Sequence, residues 1–301
     1  MKKITRLLSR LHPSRRHSSQ LHVSPAPDSA ASSPANRITK AGSANKLYIS
    51  KFEQLPFDIR HQVLLAVDNI EDLGTLVRAS PTYHQQYLHG RAFWLRRYLL
   101  LNIGHVLIDA YSANLCSSPS LRQRRNRQQV REFLAAYPSR RSTATVETLF
   151  ASTSTEEIAS IASFYTSTIR PLLQEYVAWT RSNLGSLSVP DQLSKAEQTR
   201  ILRGMYRFQI FCNVFGYSRV DRDLTLSNDE TLGLFLNIFE PWEFEEIICI
   251  NSFADSRFQT VFDEVELDLH PDNPRFDAER RDLSTPDGAF DLSRKIHLPS
   301  I

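Results

Sequence analysis

The side chains that could carry chemistry in this chain are few and scattered. His12, His17, His22, His270 and His297 fall in segments that read as tails, and His61, His84, His89 and His105 each lie on a helical pattern without a nearby Cys or His. A histidine so placed reads as solvated or hydrogen-bonded, since metal or acid–base work needs a second group held beside it. The three cysteines, Cys116, Cys212 and Cys249, have no paired spacing. That argues against a disulfide framework and a zinc site, and points to a reducing compartment. Glu240, Glu243, Glu245 and Glu246 could form an acidic catalytic cluster. They are explained more simply as the negative start of a helix after Glu240–Pro241, where they complement the helix dipole. No phosphate-loop, dinucleotide, zincin or nucleophile-elbow string occurs. No catalytic, cofactor-binding or metal-binding residue is therefore assigned, and the chain is expected to be non-enzymatic.

Arg122, Arg124, Arg125, Arg127 and Arg131 are the best nucleic-acid candidate. No aromatic residue interleaves with the start of this run, so base stacking is not suggested and a solvated helix face is preferred, with a nuclear-import signal as the second reading. Net charge is +3, but it is unevenly spread. Residues 1–51 carry ten Lys or Arg against Asp28 alone, whereas residues 52–301 carry 26 basic and 32 acidic side chains. The body is thus mildly acidic, and nucleic acid is not expected as a partner. No run of about 18 apolar residues is present, so no membrane partner is expected.

These groups sit on elements that read as helices. Only nine glycines occur, against 27 Phe and Tyr, which disfavours sandwiches and nucleotide-binding sheets. Residues 1–49 are basic and rich in Ser and Pro, and read as a disordered tail. Within it Ile4, Leu7, Leu8 and Leu11 recur at helical spacing among Lys2, Lys3, Arg6, Arg10, Arg15 and Arg16. An acid-free amphipathic start of this kind is also what a mitochondrial transit peptide looks like.

From Phe52 the 3.6-residue period dominates. A first helix opens at Pro56, with Leu55, Ile59, Val63 and Ala66/Val67 as its apolar stripe and Arg60, His61 and Gln62 off it. Asn69 closes it. A second helix begins near Asp72 and stops by Ser80, because Pro81 restricts the residue before it. Pro81 opens a third, broken at Gly90, and Phe93 to Leu99 form another apolar helical stretch.

Helices are predicted over 104–115 and 120–137, with Pro119 and Pro138 as punctuation. Residues 139–155 read as a Ser/Thr-rich loop. Helix resumes at 155–156 and passes Trp179 with a break at Pro171, and Gly185 to Pro190 form a linker. Ser194 to Glu197 spell a capping box. The helix it opens has ten apolar or Cys residues among the fifteen from Ile201 to Phe215, so it should be covered on most sides. Arg200, Arg203 and Arg207 mark its least buried face, within reach of Glu243 or Glu246. Gly216 ends it, and further helices are expected at 228–239, 241–252 and 254–267. Residues 269–301 read as an extended or disordered tail. The fold class is all-α, with no repeat of solenoid type.

The order "LPFDIRHQVLLAV", "DLGTLVRASPTYHQQY" and an aromatic-rich helix with Trp94 resembles the F-box, in the divergent form of fungal proteins of unknown function. The later "RILRGMYRFQIFCNVFG" and "FEPWEFEEI" are similar to the second region of those proteins. The resemblance implies a three-helix docking module over residues 50–100 and a client-binding helical domain over 101–268. It also implies that Leu55, Pro56, Ile59, Val63 and Leu64, then Leu73, Leu76 and Val77, then Trp94 are docking or core positions toward a Skp-type adaptor. Asp58 stands where many family members have Glu. The implied role is a substrate-recruiting adaptor of an SCF-type (Skp–cullin–F-box) ubiquitin ligase with an unknown protein client, cytoplasmic or nuclear, with mitochondrial as the alternative. A helical scaffold or regulator without a ligase is the competing role.

Overall fold

A computed structural model describes residues 50–118, 121, 126–184, 192–216 and 227–279. Among these, 83% are helical and no strand occurs. The expected N-terminal tail up to residue 49, residues 280–301, the linker at 185–190 and most of the Arg-rich run lie outside the described residues. Residues 269–279, expected as the start of a tail, are instead a helix end and a 3₁₀ turn with Phe276 buried.

The entry to the chain sets the first helices by capping. Helix α1 (Phe57–Leu65) follows Pro56, whose fixed backbone suits the start of a helix. Its buried residue is Leu64, whereas Ile59 and Ala66 face outward. The predicted stripe is therefore rotated by about one residue, because Arg60 is drawn inward to bond the backbone before the helix. Asn69 does not close α1: its side chain accepts the Asp72 amide and caps α2 (Ile70–Ala79). Ser80 caps α3 (Pro81–His89) in the same way. Helix α4 (Arg91–Ile103) then runs without a break across the expected module boundary at residue 100.

Gly104 turns the chain at φ 52°, a left-handed conformation that costs glycine little, and a 3₁₀ turn leads into α5 (Leu107–Cys116). By length and composition the stretch Arg91–Cys116 could cross a membrane, but half of its most apolar window is buried against other helices. Helix α6 (Arg127–Thr143) passes straight through Pro138. Residues 139–155 are not a loop. The hydroxyls of Thr145 and Ser154 cap the short α7 (Val146–Ala151) and α8 (Thr155–Phe164).

A π-turn over Tyr165–Ile169 joins α8 to α9 (Arg170–Leu184), just before the expected break at Pro171. Then come α10 (Lys195–Phe215), opened by the Ser194–Glu197 capping box, and α11 (Asn228–Leu236). The two helices expected on either side of residue 253 are one, α12 (Pro241–Leu269), and a 3₁₀ turn follows at Pro274–Glu279.

Two apolar clusters result. The smaller joins Leu64, Leu73, Val77, Tyr83 and Trp94. The larger is built around α10, which packs chiefly on α12 and α5. No residue of α10 from Ile201 to Gly216 is exposed, as its apolar girth requires.

Candidate functional site

The face that offers itself to a partner is built from the first four helices. Its support is polar and partly buried. The Arg60 guanidinium donates to the Leu55 carbonyl at 2.7 Å, to the Glu53 carbonyl at 3.2 Å, and to Gln86 Oε1 at 3.0 Å. Gln86, itself buried, donates to the Phe57 carbonyl at 3.0 Å. Glu53 accepts from the Ser80 hydroxyl at 2.6 Å and from the Ser50 amide at 3.0 Å. The Ser80 and Ser50 bonds hold its carboxyl below the usual range. Phe52 stacks on Tyr83 with ring centroids 5.0 Å apart. Leu55 and Pro56 are thus held by contacts on α1 and α3 rather than by their own burial.

The nine residues that the resemblance singles out fall into two sets. Leu64, Leu73, Val77 and Trp94 are buried, form the small core with Tyr83, and offer no surface to a partner in this arrangement. Leu55, Val63 and Leu76 are half-buried, while Pro56 and Ile59 are exposed. The structure adds a row that the periodicity did not assemble, although it placed His61 off the first stripe and Phe93 in an apolar helix. Phe57, His61 and Phe93 form a stacked row with centroids 6.4 and 6.0 Å apart, and His61 also lies 4.8 Å from Trp94. Phe93 then borders a groove of about 650 Å³ lined by Arg96, Arg97, Leu100, Leu101 and Phe150. Arg96 donates to the Phe150 carbonyl and Arg97 to the Leu65 carbonyl, so both cations are fixed along its wall.

The second polar assembly is internal. Arg207, expected on an exposed face, is only 1% exposed. Its guanidinium meets Glu243 at 2.8 Å, Asp109 at 3.5 Å and Glu246 at 4.0 Å, and lies over the Phe239 ring at 5.0 Å. Arg141 also bonds Glu243, Arg203 pairs with Glu246, and the Tyr137 hydroxyl donates to Asp109. Three cations thus face three carboxylates, and a buried charge needs such matching. Burial pushes the Asp109 carboxyl up despite Arg207 beside it. Burial also works to raise Glu243, but Arg207 and Arg141 outweigh it and hold that carboxyl low. The Tyr137 phenol is raised by burial and by Asp109. Arg207, Asp109 and Tyr137 are closed to solvent, so the assembly cements α5, α6, α10 and α12 rather than meeting a substrate.

Between α10 and α12 lies an open cleft of about 760 Å³ lined by Lys195, Arg200, Arg203, Trp242, Glu246 and Cys249, among others. Cys249 is exposed, whereas Cys116 and Cys212 are buried, and burial raises the Cys212 thiol. Among the described residues no three His, Cys, Asp or Glu side chains are placed to hold a metal ion. Comparison with protein-family models, with curated proteins and with solved structures finds no match.

Proposed function

We propose that this chain is a non-enzymatic adaptor whose F-box-like module, residues 50–100, docks on a Skp-type protein and whose helical body recruits a client to a ubiquitin ligase. The observation that carries the reading is where apolar surface is left uncovered. Of the large hydrophobic side chains exposed among the described residues, Phe52, Phe57, Ile59, Leu88, Phe93, Leu100 and Leu101 fall in or beside the module, and four fall elsewhere. Exposed apolar residues gathered in one region mark a binding surface. A small module over a five-residue core gains the coverage it lacks from a partner. The resemblance of its helix order to the F-box supplies the kind of partner.

Affinity purification of the full chain with a Skp-type adaptor tests this. Phe57→Asp with Ile59→Asp, both on exposed positions of α1, is expected to lower adaptor capture at least about tenfold while the circular dichroism of the chain stays unchanged. Full capture by the folded double variant would show that α1 is not the docking surface. No capture by the wild-type chain would leave the competing role, a helical scaffold or regulator. The unbroken passage of α4 from module to body favours that competing role, because it joins the two parts into one helical array.

A further inference from the structure

We infer that the basic N-terminal segment of the same chain, residues 2–16, seats on the C-terminal half of α12, independently of any adaptor role. The last buried residue of α12 is Phe258. Beyond it the helix continues for eleven residues, none of them buried. Its apolar positions Val261, Phe262, Val265 and Leu269 recur at spacings of three and four and so share one side of the helix with Phe258. On this side Val261 is 46% exposed and Phe262, Val265 and Leu269 are half-buried, an apolar surface only partly covered and far from the module in sequence.

Asp263, Glu264, Glu266 and Asp268 stand among these positions, and the stretch from Phe258 to Leu269 holds no Lys or Arg. Among the described residues none of these four acids has an ion-pair partner. The nearest cation on the helix, Arg257, is engaged with Glu175 at 3.0 Å. The face is therefore an acidic amphipathic one that the described residues cover only in part.

The chain carries the complement. Residues 2–16, outside the described part, hold Lys2, Lys3, Arg6, Arg10, Arg15 and Arg16 with no acid, around Ile4, Leu7, Leu8 and Leu11 at helical spacing. Apolar stripe can meet apolar stripe while the flanking charges pair. Residues 17–49 join the segment to the described body at Ser50. A linker of that length has a root-mean-square reach of roughly 30 Å if flexible and at most about 115 Å when extended. The body has a radius of gyration of about 18 Å, so the tether covers it and keeps the segment at high local concentration.

Chymotrypsin digestion of the full chain tests the seat, because cleavage after Leu7, Leu8 or Leu11 follows the undocked fraction when docking is fast. The control carries Asp263→Lys, Glu264→Lys, Glu266→Lys and Asp268→Lys. In dilute buffer the wild-type segment is expected to be cut about tenfold more slowly than in that control, with the difference lost in about 0.5 M NaCl. Adding Lys2→Glu, Lys3→Glu, Arg6→Glu and Arg10→Glu to the reversed chain is expected to restore slow cleavage. Equal rates in wild type and control would overturn the proposal. Protection that appears only at high protein concentration would assign the seat to a second copy and overturn it too. If the reversed chain does not fold, carbodiimide cross-linking of the wild-type monomer decides. Lys2 or Lys3 joined to Asp263, Glu264, Glu266 or Asp268 within one chain is the expected product, and links confined to other carboxylates would refute it.

Discussion

Arg207 shows how one side chain can be misplaced by its local pattern. Arg200, Arg203 and Arg207 recur at helical spacing, and such a row reads as a solvated stripe. In the structure Arg200 is exposed, Arg203 is half-buried against Glu246, and Arg207 is buried. What draws Arg207 inward are Asp109 and Glu243, carboxylates on helices remote in sequence that no local period reports. The partners' identity was half legible, because Glu243 and Glu246 were within expected reach, but Asp109 was not. The opposite shifts of the two buried acids separate their roles. Arg207 and Arg141 hold the Glu243 carboxyl low, so its stabilising contribution is complete above its unfolded pKa and disappears as pH falls through the lower folded one. Glu243→Gln is therefore expected to cost on the order of 3 kcal/mol at pH 7. The gap to wild type should begin to narrow near the unfolded value of about 4.3 and close only as pH falls through the lower folded one. Asp109 is pushed the other way, so its ionisation already opposes folding at neutral pH, and Asp109→Asn is expected to cost less. Urea unfolding of both variants at pH 7 and over a descending series to about pH 3 checks the order, and a Glu243→Gln loss that stays constant across the series would remove the electrostatic account of Glu243.

At the scale of helices, much was legible from caps and little from composition. The Ser194–Glu197 box, Pro56, Pro81 and Gly90 all act where the sequence places them, whereas at Pro171 the helix does not break and only widens into the π-turn before it. The Ser/Thr-rich stretch at 139–155 misleads because its hydroxyls serve as N-caps, so short helices follow Thr145 and Ser154. Pro138 misleads because α6 packs Phe133, Leu134 and Tyr137 into the core on one side of it, and tertiary burial outweighs the local cost of proline. The close approach of α10 and α12 was not legible at all. Gly204 on α10 faces α12, and a Cβ there would lie 2.9 Å from the Glu246 carbonyl oxygen and 3.1 Å from Ile250 Cγ1. In an exposed helix, replacing Gly by Ala stabilises by about 0.8–1.0 kcal/mol. Here the contact is with backbone, which cannot swing aside as a side chain does. Gly204→Ala is expected to destabilise by about 1–3 kcal/mol, a fall of several degrees in melting temperature. A higher melting temperature would mean that α10 and α12 are not held this close.

The whole molecule joins a small core to a large one through α4. Trp94 belongs to the five-residue cluster of the module, whereas Leu95, Tyr98, Leu99 and Ile103 on the same helix belong to the cluster around α10. Other ties cross this junction, among them Ile70 of α2, which packs against the large cluster. Arg97 donates to the Leu65 carbonyl at 3.0 Å, and Arg170 of α9 pairs with Glu71 of α2. A partly exposed ion pair contributes about 0–1 kcal/mol, so such ties orient the module more than they hold it. The small core should open before the large one, while α4 stays anchored by its C-terminal residues. Native-state hydrogen exchange reads this directly, because regional protection reports the free energy of local opening. Trp94→Ala removes the largest side chain of the small core, a loss of about 3–5 kcal/mol. The expected outcome is faster exchange across α1, α2 and α3 with the amides of α10 and α12 unchanged. If α10 lost protection to the same extent, the two clusters would be one cooperative unit. The row of Phe57, His61 and Phe93, exposed at both ends, would then be the surface of that unit, not of a module able to yield to a partner.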